Sequence, residues 1–134
     1  MKLKRDFVTN SSSSSFVAYG ISINRYSTDY QEELFKTYCN YLIKNNENPP
    51  ETQEELFEEI GIIEVIDILA SEADLDYAIP HQGDYICIGK SPFDMKDNQT
   101  KKDFKEEVAL QFIKMGIDIT ANELDAIEEG WYDG

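Results

Sequence analysis

Residues 61–73 read GIIEVIDILASEA, and the fold turns on whether this stretch is a helix or a strand. Its alternation and its β-branched content suit a strand. Ile62, Val65, Ile66 and Leu69, however, share one face at helical spacing, as a core-facing stripe does. The helical reading is preferred, with Gly61 ending the preceding helix as a left-handed C-cap and the next helix running to about Ala73. The strands must then come from elsewhere in the chain.

Toward the N-terminus, Thr52 and Glu55 form a capping box for a helix over TQEELFEEI, whose acidic first turns suit the helix dipole. NNENPP at 45–50 breaks the chain before it. A helix over about 30–45 precedes that break, with Thr28 or Asp29 as its cap. Its stripe is Leu34, Tyr38, Tyr41 and Leu42, supported by Phe35 and Cys39. Before that, FVAYGISI at 16–23 is a strand with Val17, Tyr19, Ile21 and Ile23 as its core face.

Toward the C-terminus, LDYAIP (75–80) and DYICIG (84–89) flank a short HQGD turn and read as a β-hairpin. Turn formers fill 90–100. Thr100 and Asp103 then cap a helix over about 101–115, with Phe104, Val108, Phe112 and Met115 as its stripe, Ala109 and Ile113 alongside, and Gly116 at its end. A last strand falls within 124–133. The expected fold class is α+β: an antiparallel sheet of about four strands with three or four helices packed on one face, in a single domain.

The chain has 134 residues, 41% hydrophobic, which is enough for a core that needs no staples. Cys39 and Cys87 belong to no C-x-x-C or Cys/His cluster; a lone disulfide stays open, but nothing points to a secreted framework. No long apolar run follows the basic start MKLKRDFVTNSSSSSF, and no stretch is long enough to span a membrane, so a cytoplasmic location is expected. The net charge of −15 is unevenly spread. Residues 45–89 hold twelve acids and no Lys or Arg, and residues 116–134 hold six acids and none. Such a surface repels a phosphate backbone and favours a basic partner, so direct nucleic-acid binding is not expected; the lack of a spanning stretch makes a membrane partner unexpected too.

FVTNSSSSSF at 7–16, with Ser11 to Ser15 clamped between apolar residues, resembles the N-terminal motif of small uncharacterised proteins of Firmicutes and their phages or mobile elements. GKSPFDMKDNQTKKDFKEEV at 89–108 and the terminal IEEGWYDG are similar to a G-x-S-x-x-x-M-K-D-x-x-T-x-x-x-F-K segment and an E-x-W-x-D-G ending of such proteins. The resemblance covers about half of the chain. It implies a phage or mobile-element origin and no chemistry assigned to named residues. For the serines themselves, two readings stand: a polar lead-in to the first strand, or a handle for modification or recognition.

Each candidate for chemistry has a plainer reading beside it. His81, Asp84 and Cys87 would form a nucleophile set only if the base reached the thiol, whereas Cys87 sits mid-strand between Ile86 and Ile88 and reads as packed. Glu72, Asp74 and Asp76 alternate, and Asp94, Asp97 and Asp103 cluster, but neither set has the glycine and glutamate of a calcium loop. No metal or cofactor is expected. Lys90, Ser91, Lys96 and Thr100 lie beside a helix start and form a candidate phosphate site, without the glycine spacing of a Walker loop. The heaviest signal is acidic. Glu54, Glu55, Glu58, Glu59, Asp67, Glu72, Asp74 and Asp76, with Glu128, Glu129, Trp131 and Tyr132 near the end, read as a partner-binding surface, Trp and Tyr serving as anchors. The plain alternative is a solvated face kept for solubility. The function expected is that of a non-enzymatic interaction protein, monomeric or homodimeric, which binds a basic surface of a host or defence protein and mimics nucleic acid. The alternative is a small-ligand or phosphate module, or weak enzyme, centred on 89–100 and His81.

Overall fold

The computed structural model describes residues 14–79 and 84–131, and all statements below concern these. The elements run β1 (Ser14–Asn24), α1 (Gln31–Lys44), α2 (Gln53–Glu59), α3 (Ile62–Glu72), β2 (Asp76–Ala78), β3 (Tyr85–Lys90), α4 (Lys101–Lys114) and β4 (Asp125–Trp131). Short 3-10 turns at Pro92–Asp94 and Ala121–Glu123 precede α4 and β4. The sheet order is β2-β3-β1-β4 and every pairing is antiparallel, which makes the molecule an α+β fold.

The stretch after Gly61 is helical, over Ile62–Glu72. Val65, Ile66, Leu69 and Ala70 of α3 are buried, and Gly61 carries φ 93° between α2 and α3. Four apolar side chains on one face of an eleven-residue helix bury only if the chain coils at 3.6 residues per turn, so the stripe outweighs β-branched propensity. Together with Leu34, Tyr38 and Leu42 of α1, Leu56 of α2, and Phe104, Val108 and Phe112 of α4, they cover one side of the sheet. From the sheet, Tyr19, Ile21 and Ile23 of β1, Tyr77 of β2, and Ile86 and Ile88 of β3 meet them. Residues this deep each contribute roughly 1.5–3 kcal/mol through burial.

Four details differ from the sequence reading. Neither Thr28 nor Asp29 caps α1. Its N-cap is Tyr30, in left-handed backbone at φ 64° with no side-chain cap bond, while the Ser27 hydroxyl accepts from the Asp29 N–H (2.9 Å). Ile113, expected beside the α4 stripe, is 49% exposed, because α4 turns that side to solvent together with Leu110. The second face of β1 is buried around Ala18, which packs with Ala78, Cys87 and Ile127 in a separate small cluster, while Ser22 on the same face is exposed. Gly61 is not the left-handed C-cap of α2: Ile60 holds that place, and Gly61, at φ 93° and ψ 151°, is the N-cap of α3. Thr52 and Thr100 are N-caps as expected, and Gly116 follows α4 at φ 92°.

β1 changes partners along its length. It pairs with β4 over Ser14–Gly20 and with β3 over Tyr19–Asn24, so the two ladders overlap only at Tyr19 and Gly20. At that overlap Gly20 lies directly opposite Gly89, and a Cβ on Gly20 would overlap the Ile88 carbonyl oxygen and stand 2.7 Å from the Gly89 Cα. Glycine in a strand interior commonly marks such a close backbone approach.

Candidate functional site

The acidic surface is built on α2. The Thr52 hydroxyl accepts the Glu55 N–H at 3.1 Å, and the Glu55 carboxylate in turn accepts the Glu51 N–H at 3.2 Å, one residue before the usual capping-box donor. Leu56 is buried to 1% exposure and fixes the inward side of the helix. The opposite side then has no choice: Glu54, Glu55, Glu58 and Glu59 are all exposed. Glu55 and Glu59 are one helical turn apart, about 5–6 Å between Cβ atoms, as are Glu54 and Glu58. The stretch 45–89 supplies no Lys or Arg to neutralise them. Ile60, at the end of the helix, adds an apolar patch at 41% exposure.

The other acids divide. Glu72 on α3 is exposed, whereas Asp67 and Asp76 are half-buried and engaged within the fold. Asp74 sits just past α3 in left-handed backbone (φ 59°) and receives the Lys90 ammonium at 2.9 Å. The Lys90 side chain is 11% exposed and that of Asp74 is 63% exposed, so the pair seals the edge of the core while the carboxylate keeps contact with water. It fastens the end of α3 to the end of β3. Glu128, Glu129 and Trp131 take part in β4 through backbone pairing with Val17, Phe16 and Ser14, and Tyr132 lies outside the described residues.

In the stretch 89–100, the candidate phosphate ligands have structural work. Lys90 is committed to Asp74. The Ser91 hydroxyl accepts the Phe93 N–H at 3.1 Å and caps a 3-10 turn. Thr100 and Asp103 cap α4 reciprocally: Thr100 Oγ1 accepts the Asp103 N–H at 3.0 Å, and Asp103 Oδ2 accepts the Thr100 N–H. Lys96 is exposed, and its N–H donates to Gln99 Oε1 at 3.1 Å. Phe93 is 89% exposed, the highest value among the large apolar residues whose burial is described.

Cys87 is 1% exposed, with the Ser22 hydroxyl 3.4 Å from its sulfur, the setting of a packed thiol. Asp84 accepts the Arg25 N–H through its backbone carbonyl, and His81 lies outside the described residues. Among the described residues no three of His, Cys, Asp and Glu gather as a metal cluster, and no helix is long and apolar enough to cross a membrane.

One feature escaped the reading of the sequence. A groove of about 370 Å³ opens between α4 and the Ala121–Glu123 turn, lined by Lys101, Lys102, Lys105, Ala121 and Asn122. Its only trace in the sequence is the K-K-x-x-K spacing at 101–105, which puts three amines within one and a half helical turns.

No family model, curated protein or solved structure matches the chain.

Proposed function

We propose that the protein is a non-enzymatic interaction protein, and that the α2 surface binds the basic face of a partner which normally grips nucleic acid. In this reading it comes from a phage or mobile element, acts in the cytoplasm, and blocks a host or defence protein by standing in for phosphates. The observation that supports the reading is α2 itself: four glutamates exposed on seven residues, in a 45-residue stretch without one cation. Charges so arranged give fast, salt-sensitive encounter with a positive surface. Buried Leu56 and the Thr52 cap hold the helix in place, so the charges are presented on a fixed frame.

The test is a pulldown from host lysate at low and at high salt, comparing the natural chain with a Glu55→Lys, Glu58→Lys, Glu59→Lys triple variant. The expected outcome is enrichment of a nucleic-acid-binding protein that salt, added duplex DNA and the triple reversal each abolish. A partner retained after the reversal, or none at either salt, would count against this function. All three positions are exposed, so loss of the fold is not expected to confuse the result.

A further inference from the structure

Independently of the acidic surface, we propose that the groove between α4 and the Ala121–Glu123 turn binds a small polyanion carrying two or more phosphoryl groups. Three of the chain's twelve Lys and Arg side chains, Lys101, Lys102 and Lys105, line it, with Asn122 opposite. A volume near 370 Å³ falls in the range of small-molecule sites.

What singles out these lysines is the fate of the acids around them. Asp103 turns its carboxylate to the Thr100 N–H, Glu107 to the Gln99 amide (3.4 Å), and Glu123 to the N–H and hydroxyl of Thr120 (3.0 and 3.1 Å). Capping and loop bonds thus hold three nearby carboxylates; Glu106, one turn after Lys102, is exposed, and none of the three lysines forms an ion pair with it or with any other described residue.

Their placement is also ordered. The Lys101 and Lys105 Nζ atoms lie 5.5 and 5.8 Å from the centroid of the same Tyr19 ring, which stands edge-on to buried Phe104 at 6.1 Å. One ring of the sheet therefore holds two of the groove-lining ammonium groups within 6 Å of its centroid, and an anion between them would relieve their mutual repulsion. A lysine ammonium binds phosphate as a point charge, and three of them match a diphosphate better than a single-charged anion. A long nucleic acid would run from this groove onto a chain of net charge −15, which restricts the ligand to a compact one.

The experiment is an amide-resolved NMR titration of the full chain with inorganic pyrophosphate at roughly physiological ionic strength. The expected result is saturable shifts confined to residues 100–105 and 120–123, with one ligand per chain. Affinity should fall at least about tenfold in a Lys101→Gln/Lys105→Gln variant, and remain unchanged in a Lys36→Gln/Lys114→Gln control of equal charge. Unchanged amide positions elsewhere in the spectrum establish that the double variant is folded. Shifts that spread over Lys36, Lys44 and Lys114 without saturating, or an affinity equal in both variants, would overturn the proposal. Either result leaves the α2 surface untouched, since none of its residues is altered.

Discussion

A methyl group added at residue 20 has nowhere to go. It would overlap the Ile88 carbonyl oxygen and stand 2.7 and 2.8 Å from the Gly89 Cα and the Ile88 carbonyl carbon, all backbone atoms of a central strand. No side-chain rotation relieves such a contact; β1 and β3 must separate where β1 passes from one partner to the other. Gly61 makes the opposite case. Its φ of 93° disfavours any L side chain, yet nothing lies within 4 Å of where its Cβ would stand. Gly61→Ala is therefore a cost of backbone strain alone, about 1–2 kcal/mol, while Gly20→Ala adds overpacking in the sheet and is expected to lose about 3 kcal/mol or more. Urea unfolding of the two variants checks the order. If Gly20→Ala proved as stable as Gly61→Ala, the close approach of β1 and β3 would be wrong.

At the scale of elements, the helices differ in how they start. Thr100 and Thr52 each accept an N–H from the third helical residue, whereas α1 begins at Tyr30 without a side-chain cap. Thr100→Ala and Thr52→Ala should each cost about 1 kcal/mol, within the usual 0.5–2 kcal/mol of a lost cap. Thr28→Ala and Asp29→Ala should stay within about 0.5 kcal/mol, as exposed changes away from a cap do. Thermal unfolding of the four variants checks this; a full cap's loss at Thr28 or Asp29 would mean that α1 begins differently. The contrast also marks how far a sequence can be read. The caps at Thr52 and Thr100 were legible because each hydroxyl and its N–H donor lie within four residues, and α3 because its stripe is local. The start of α1 was not, because Tyr30 takes a left-handed conformation that its residue type does not advertise. Lys90 read as a free cation because its partner, Asp74, is sixteen residues away and approaches only once α3 and β3 pack. The lysine groove stayed hidden for the same reason, since Asn122 lies on a separate turn. Of the candidate acids, those on α2 were legible from their number and spacing on one short helix; the partial burial of Asp67 and Asp76 was not, since it depends on packing across elements.

Across the whole molecule, two phenols and a thiol partly withdrawn from water tie stability to pH on the alkaline side. Burial raises the pKa of Tyr30 above its ordinary 10.0, and nearby Glu123, Asp29 and Glu33 push the same way. Burial does the same for Tyr38, helped by Tyr41, Glu47 and Glu64, and for the Cys39 thiol, ordinarily at 9.0. Each group holds its proton more tightly folded than unfolded. Its contribution is thus intact below its ordinary value and is lost as pH rises toward and through the raised one. The urea midpoint should stay level near neutrality and begin to fall from about pH 9 as these groups ionise. Tyr38→Phe removes one titrating group, and its midpoint should fall less steeply over the same interval. Salt separates the two causes. Raising ionic strength from 0.01 to 0.15 M shortens the screening length from about 30 to about 8 Å. That weakens repulsion among the surface carboxylates and should raise stability near neutral pH in a chain of net charge −15. Burial comes first for all three groups and is not screened, so salt should restore only part of the alkaline loss. Full restoration by salt would make the loss a surface-charge effect, and a Tyr38→Phe curve superimposable on the natural one would remove Tyr38 from it.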